Sequence, residues 1–468
     1  MAKNRNHRRP AVAAEESALV GTEIELDITN VAHGGVFVAR HEGRVVFVGD
    51  TMPGERIRAR VTEARHGSFW RAEAVEVIEA SPHRRAHVWA AASIDRAAEE
   101  RAGGAEFGHI DLQYQRALKS RVIADALSRM AHIELMPDVE PVPTAPVADV
   151  PAGSAPAAAP APAAAPALAA APTLAATSAP GGLGWRTRVR LQVAQDGTVG
   201  PYAARSHRVV PVDDLPLATP VVAAAAPLRG RFEGSASVDV IGPSTGGEIV
   251  LVNERERKGA GAKGKRPAPH PILERVGERE FRLDARGFWQ VHAGAPAALT
   301  AAVQQAVDAA LFDPDAANLD LYGGVGLLAA AVGDRFGPST RITSVESDST
   351  ATDFAAGNLV DWIGAAAITD RVDRFVARSL AQASAHERDR QRAATVVLDP
   401  PRSGAGKDVV DALVALSPAQ VVYVACDPVA FARDAALFAA GGYQVSALRA
   451  FDLFPQTHHV ELVARLTR

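Results

Sequence analysis

One cysteine, Cys426, serves a chain of 468 residues. A lone thiol excludes an intramolecular disulfide and a cysteine cluster, so packing or chemistry must account for it. A surplus of either charge is missing too: 50 Lys and Arg stand against 54 Asp and Glu, a net charge of −4. A polyanionic partner must then be held by local basic patches, not by the overall field. Long apolar runs are also absent. The longest charge-poor stretch, Val147 to Gly184, is mostly alanine and repeatedly broken by proline, which argues against a membrane-spanning helix. MAKNRNHRRP passes into AVAAEESALV without the charged-then-apolar order of a secretion signal, so cytoplasm is the expected location.

What is present changes character along the chain, which at 47% hydrophobic has material for about three domains. Residues 1–18 carry Lys3, Arg5, Arg8 and Arg9 and read as a disordered basic arm, able to touch phosphates or simply to solubilise. Residues 19–80 hold five short alternating runs, EIELDITNVA, GGVFVARH, RVVFVGD, ERIRARVTEA and FWRAEAVEVIE. With glycine-rich turns between them, they predict a small closed, OB-like β-barrel. Arg56, Arg58, Arg60, Arg65 and Arg71 interleave there with Phe69 and Trp70, a mixture suited to phosphates and base stacking. The competing reading is a solvated barrel face around a core aromatic. The Gly-Gly turn, hairpin and D-x-x-P-G-E turn of LDITNVAHGGVFVARHEGRVVFVGDTMPGERIRARV resemble a TRAM domain, which implies that the barrel binds RNA.

Residues 81–285 read as a central RNA-binding region. Leu118, Val122, Ile123 and Leu127 have helical spacing, predicting a helix from near Tyr114. An Ala/Pro-rich stretch, 141–182, cannot pack a core and reads as a linker. Alternating runs return in WRTRVRLQVAQDGTVGPYAARSHRVVPVDDLPL and SASVDVIGPSTGGEIVLVNE, so a mostly β region is expected over about 184–285. Its loop ERERKGAGAKGKR is a solvated excursion or an RNA clamp.

From residue 286 to 468 the rhythm becomes α/β. Strand-like runs NLDL, RITSVE, RVDRFV, ATVVLD and QVVYVAC alternate with helical runs such as GLLAAAVGDRF and PVAFARDAALFAA, which builds a parallel sheet covered on both faces. YQVSALRAFDLF and HHVELVARLT have no helix between them and should pair antiparallel at the sheet edge. This mixed, Rossmann-like sheet resembles that of a class I methyltransferase.

In such a sheet the ligand crevice lies at the carboxyl ends of the strands. The first loop there is Asp320-Leu321-Tyr322-Gly323-Gly324-Val325-Gly326. Its glycines permit close approach of a ligand, with no following Lys-Ser/Thr for a P-loop and no third glycine for a dinucleotide fingerprint. Glu346 ends the next strand, placed to accept ribose hydroxyls. Asp399-Pro400-Pro401-Arg402 ends another, the prolines holding its loop rigid. Enzymes that methylate exocyclic amines typically put an aromatic after such a Pro-Pro, where this chain has Arg402. The thiol offers a different chemistry. Carbon 5 of a pyrimidine becomes nucleophilic only after a thiolate adds to carbon 6, and a base must then remove the carbon-5 proton. Cys426 is the one thiol available for it; free thiols ionise near pH ~8.5, so donors or positive charge such as Arg402 are needed beside it.

GFWQVHAGAPAAL, NLDLYGGVGLLA, SVESDSTATDFAAGNL, VVLDPPRSG, VVYVACDPVAFARD and FDLFPQTHHVELVARL occur in the order of the RNA 5-methyluridine methyltransferases, and residues from about Gly287 to Arg468 resemble that family. The resemblance implies that Gln290, Tyr322, Glu346 and Asp399 contact S-adenosylmethionine, with Gly323 in the loop that receives it. It also implies that Cys426 is the nucleophile and Glu461 the base. The substrate would be a uridine in ribosomal or transfer RNA, flipped from its stack. A monomer is expected, with no membrane partner and no metal site. Three departures stand out. Asp427 follows Cys426 where the family often has Asn, Gly323-Gly324 replaces Cys-Gly, and His292 replaces the usual Asn. Many members also bind an iron–sulfur cluster through four cysteines ahead of the catalytic domain. HVWAAASIDRAAEERAGGAEFGHIDLQYQ has none, so no cluster can form. Two other readings stay open: an exocyclic-amine methyltransferase with an incidental cysteine, and an RNA-binding protein with a vestigial methyl-donor site.

Overall fold

Alternation of apolar and charged residues decides the N-terminal architecture. The computed structural model describes residues 19–64, 69–144, 180–255 and 268–468. The basic arm, Arg65, most of the Ala/Pro-rich stretch and most of the Gly/Lys-rich loop lie outside them. Strands β1 (Glu23–Ala32), β2 (Val36–His41), β3 (Arg44–Gly49), β4 (Arg56–Ala64) and β5 (Trp70–Glu79) close into a barrel in the order β1-β2-β3-β5-β4. Leu26, Ile28, Phe37, Val46, Val48 and Ile57 fill its interior. The outward arginines are largely engaged with glutamates. Arg56 reaches Glu25 (2.6 Å), Arg60 reaches Glu23 (3.0 Å), Arg71 reaches Glu63 (3.4 Å), and Arg58 contacts Glu76. Such exposed pairs add little stability, but they occupy the cations. Trp70, a candidate for base stacking by sequence, is 3% exposed and belongs to the barrel core. Phe69 instead packs edge-on against Phe47 with Arg71 above it.

The cysteine-free segment after the barrel is held by polar anchors. Buried Arg101 donates to Asp50 (2.9 Å) and to the Ile94 carbonyl (3.0 Å), and His109 Nε2 contacts the Thr51 carbonyl (2.9 Å). Asp111 caps helix α1 (Leu112–Ala126) by accepting from Tyr114 N–H, as Asp does well at this position. Helix α1 continues through a π-turn, Leu127–Ala131, and leads to strand β6 (Val139–Pro141).

Beyond the Ala/Pro-rich stretch, β7 (Arg188–Val193), β8 (Val199–Gly200), β9 (Ser235–Ile241) and β10 (Ile249–Glu254) form a sheet in the order β10-β9-β7-β8, and β11 (Pro271–Val276) pairs with β12 (Arg279–Asp284) as a hairpin. The C-terminal sheet comprises β13 (Asn318–Leu321), β14 (Ile342–Glu346), β15 (Ala365–Thr369), β16 (Thr395–Leu398), β17 (Gln420–Ala425), β18 (Gln444–Asp452) and β19 (Glu461–Thr467). Its order is β15-β14-β13-β16-β17-β19-β18-β6. Pairing is parallel from β15 through β17 and antiparallel about β19. The mixed sheet expected from the sequence is present, with two differences. RVDRFV is helical: Val372, Phe375 and Val376 recur at helix spacing on the buried face of Val372–Gln382, and AAAIT makes the third strand. At the far edge, β6 pairs in parallel with β18, so the chain ahead of the Ala/Pro-rich stretch completes the sheet that follows it.

Helix α1 is tied to this sheet by buried polar groups. Lys119 Nζ donates to Asp452 Oδ1 (2.6 Å) and to the Phe454 carbonyl (3.0 Å), with 1% and 2% of the two side chains exposed. Removing one partner of such a pair strands the other charge in the interior. Lys119→Met should therefore destabilise the protein by about 3 kcal/mol, and adding Asp452→Asn should recover part of the loss. Chemical denaturation checks this, and equal stability of Lys119→Met and the unaltered chain would show that the pair is not a structural tie.

Candidate active site

Sheet register gathers the predicted residues. β13 aligns Leu321 with Val345 of β14 and Leu398 of β16, so Tyr322, Glu346 and Asp399 emerge side by side at the carboxyl edge. β17 aligns Ala425 with Leu462 of β19, so the next pair along is Cys426 beside Glu461.

The glycine loop is shaped by contact and by strain. Tyr322 adopts φ 63°, Gly324 φ 53° and Gly326 φ 89°, a left-handed backbone that is costly for the tyrosine. A Cβ on Gly323 would sit 2.0 Å from Ser344 Oγ and 2.6 Å from Asp320 Oδ2, so only glycine lets the loop lie this close to the sheet. Glu346 is oriented by its neighbours: Oε1 accepts from Ser347 Oγ (2.9 Å) and Asp348 N–H (2.8 Å), and Oε2 from Gly324 N–H (3.3 Å). An open cleft of about 500 Å³ borders these strand ends, lined by Tyr322, Ser347, Arg371, Pro401 and Ser403 among others. That volume falls in the range of small-molecule sites, about 300–1,000 Å³.

Carboxyl groups crowd the floor. Asp320 is fully buried, its Oδ1 has no hydrogen-bond partner among the described residues, and burial pushes its pKa up to about 7. Partly buried Asp399 is raised as well, by burial and then by the Asp320 charge. Glu461 is 4% exposed, so its carboxyl group lies in the interior and not toward solvent. Its pKa is raised well above the ordinary value by burial and by Asp399, against the opposing pull of Arg402. The half-buried Cys426 thiol is pushed up to about 12 by burial, then by Glu461 and Asp399, with Arg402 again opposing. With one nearby arginine against this many acids, the site favours protonated groups over charged ones and gains from an incoming cation.

Arg402 is exposed, and its guanidinium lies 3.3 Å from His459 Nε2. Burial, His458 and Arg402 hold the His459 pKa down near 3, so the neutral ring accepts from the arginine. The loop carrying Arg402 is braced from behind. Buried Asp434 accepts from Tyr423 OH (2.7 Å) and Ala405 N–H (2.7 Å). The FPQTHH loop is braced from helix α1, where Gln115 Nε2 donates to Gln456 Oε1 (2.8 Å) and Gln115 Oε1 accepts Gln456 N–H (2.9 Å). These supports carry no motif, and sequence reading missed them.

The barrel also reaches the site. His33, at the β1–β2 turn, places Nε2 2.8 Å from Asp427 Oδ2, while Asp427 Oδ1 caps the helix Pro428–Ala440 by accepting from Val429 and Ala430 N–H. Asp427, where the family often has Asn, thus supplies the charge for His33. A cavity of about 120 Å³ lies beneath, lined by Gly34, Gly35, Arg402, Cys426, His458 and His459 among others. His292, the other departure, is structural: it is 1% exposed, stacks on Trp185 (5.6 Å between centroids) and accepts Gly294 N–H (3.0 Å). Gln290 is half-buried and lines neither space, and Gly294, not Gln290, stands at the start of the helix Ala295–Ala306.

Comparisons with known proteins place the chain among RNA methyltransferases. A family model described as tRNA (Uracil-5-)-methyltransferase matches residues 294–468, and a TRAM domain model matches residues 17–75. The chain is 37% identical to an uncharacterized RNA methyltransferase of Streptomyces avermitilis, over 96% of this chain and 98% of the relative. It is 29% identical to the 23S rRNA (uracil(1939)-C(5))-methyltransferase RlmD of Pseudomonas fluorescens, over 95% of this chain and 94% of that protein. The structure of Pyrococcus abyssi tRNA (uracil-54, C5)-methyltransferase in complex with S-adenosyl-L-homocysteine shares the fold. Its TM-score is 0.62 at 19% identity, covering 94% of this chain and 99% of that one.

Two measurements follow from the electrostatics. With a single thiol, alkylation reports on Cys426 alone, and its rate in the free protein should keep rising well past pH ~8.5, where an ordinary thiol levels off. A midpoint at or below that value would mean the acids do not control the sulfur. The His33–Asp427 pair sets a second expectation. Asp427 raises the His33 pKa above 6.5, so this contribution is complete below the unfolded value and is lost as pH rises through the folded one. Asp427, whose pKa is lowered from 3.8 by His33 and the cap hydrogen bonds against the opposing effect of burial, loses its share as pH falls through its folded pKa. NMR titration should show His33 above 6.5 and returning toward it in Asp427→Asn; an unchanged titration in that variant would contradict the pairing.

Proposed function

The chain belongs to the uracil-5 family of RNA methyltransferases, and we propose that it methylates carbon 5 of a uridine through a covalent bond from Cys426 to the pyrimidine. The observation that carries this reading is the β17–β19 register, which sets the sole thiol beside a buried carboxyl group at the edge of the sheet where ligands bind. Tyr322, Gly323, Glu346 and Asp399, gathered at the strand ends, are the residues assigned to S-adenosylmethionine; Gln290 lines neither space and is assigned to it by family resemblance alone. The open cleft, the loop that only glycine permits and the surplus of acids all suit a small cationic ligand. When bound, S-adenosylmethionine supplies an electrophilic methyl on a positively charged sulfur.

The residues divide the work by charge. Positive charge from Arg402, and from a cation entering the acidic floor, favours the thiolate of Cys426 over its protonated resting form. The sulfur bonds to carbon 6 of the uracil, and the displaced electron pair makes carbon 5 nucleophilic, so that it takes the methyl. Glu461, as its carboxylate, then removes the carbon-5 proton. The carbon–sulfur bond breaks with its electrons returning to sulfur, and the double bond reforms. A carboxyl whose pKa is raised by burial is a stronger base for this task than a solvated one. His459, which accepts from Arg402, orients it in the cavity that Cys426 also lines.

The target uridine is flipped into the cavity beside the thiol, because its ring faces are covered inside a stacked helix. Ribosomal RNA is the favoured substrate. The similarity to RlmD runs through barrel, middle region and sheet alike, whereas the transfer-RNA enzyme of Pyrococcus abyssi shares the fold at 19% identity.

Cys426→Ala should abolish methyl transfer, and Glu461→Gln should slow it by ~10²–10⁴-fold, the usual span for a general base. An enzyme acting on exocyclic amines would keep its activity in Cys426→Ala, and that outcome would replace this reading. Mass spectrometry of RNA from a deletion strain should show one 5-methyluridine missing from the large ribosomal RNA; its loss from transfer RNA would reassign the substrate.

A further inference from the structure

A second and larger cavity, about 520 Å³, opens where the barrel, the segment 92–106 and the turn 202–207 of the middle region meet. The cavity beside the thiol shares its wall with it: Gly34, Gly35 and His458 line both. The partition is thin, since a Cβ on Gly35 would lie 2.8 Å from His458 Nδ1. A strand with one base at the thiol therefore has a neighbouring space within reach of the same backbone.

The far wall has the chemistry of a nucleotide site. Tyr202 is 38% exposed, with His207 edge-on at 5.2 Å, and offers a ring face to a base. Arg205 is exposed, and no carboxylate among the described residues pairs with it, unlike the outward arginines of the barrel. Its guanidinium lies against the barrel at Gly49, where a Cβ would sit 2.1 Å from Arg205 Nη2 and the flexible side chain would have to move aside. The turn is anchored, with Gly103 N–H donating to the Tyr202 carbonyl (2.9 Å) and Ala204 N–H to the Arg101 carbonyl (2.9 Å). The two acids of the wall are turned to other work: Asp50 accepts from Arg101 (2.9 Å), and Glu106 faces His458 at 3.7 Å.

We propose that this cavity is a second nucleotide subsite, which receives a base of the same RNA strand within a few positions of the target uridine, stacked on Tyr202 with its phosphate at Arg205. The assignment rests on the RNA methyltransferase reading. It makes the joint between barrel and middle region a specificity element, selecting RNA loops that can present two unstacked bases at once. Stacking tolerates any base, so the selection is for a strand path and not for a sequence.

The test uses the full chain and an RNA fragment that the unaltered enzyme methylates. Tyr202→Ala and Arg205→Ala should each raise KM for RNA roughly five- to hundred-fold, the range for losing one stacked base or one anchoring contact. Neither should move kcat or donor affinity by more than about two-fold, and Tyr202→Phe should restore KM. In a scan of abasic substitutions flanking the target, one position should weaken binding to the unaltered enzyme but not further weaken Tyr202→Ala. Unchanged KM in the variants, or an abasic penalty that persists in Tyr202→Ala, would overturn the subsite while leaving methyl transfer intact. If the unaltered enzyme methylates no RNA, the parent reading fails and the subsite with it.

Discussion

The antiparallel seam between β17 and β19 is the constraint on which the rest of the structure depends. Every other strand of the core sheet up to β17 runs parallel, which sends its carboxyl end and its loop to one edge. β19 runs against them, so its amino end arrives at that same edge. The reversal brings Glu461 to Cys426 across 35 residues of chain, and a slip of one residue would turn the carboxyl to the opposite face. Much of the remaining architecture fixes that meeting. Gln115 grips Gln456, whose φ of 69° is a strain the surrounding bonds must hold, and Lys119 grips Asp452 at the other end of the same loop.

Electrostatics supply the second layer. Burial raises Asp320, Asp399, Glu461 and Cys426 first; the Asp320 charge then adds to Asp399, Asp399 adds to Glu461 and Cys426, and Arg402 opposes the last two. Such a site rests with its thiol protected by a proton. In the proposed reaction, a positively charged ligand shifts that balance toward the thiolate. The barrel then joins from outside through His33 and Asp427, coupling the RNA-binding module to the loop that carries the thiol.

The sequence was most legible where chemistry constrains residue type. Tyr322 and Gly323, Glu346, the Asp-Pro-Pro loop and the Cys426–Glu461 pair stand at one sheet edge, as the motif order implied. Packing was less legible. RVDRFV looked like a strand because valines flank its charges, yet its apolar residues lie on one face of a helix, and the plain run AAAIT became the strand. Trp70 looked available for a base, but alternation along β5 turns it into the core. Contacts between distant segments left no local signal: Val139–Pro141 at the sheet edge, His33 on Asp427, and Arg205 against Gly49 become visible only once the chain is folded.

The central claim is that sulfur and pyrimidine become covalently joined at the seam. The most direct measurement is mass spectrometry of the denatured protein after incubation with methyl donor and substrate RNA in which 5-fluorouridine replaces the target, since fluorine cannot leave as a proton does. The account predicts a stable adduct on the peptide containing Cys426, carrying both the nucleotide and the transferred methyl. Methylation of the natural RNA with no such adduct on its fluorinated counterpart would contradict it.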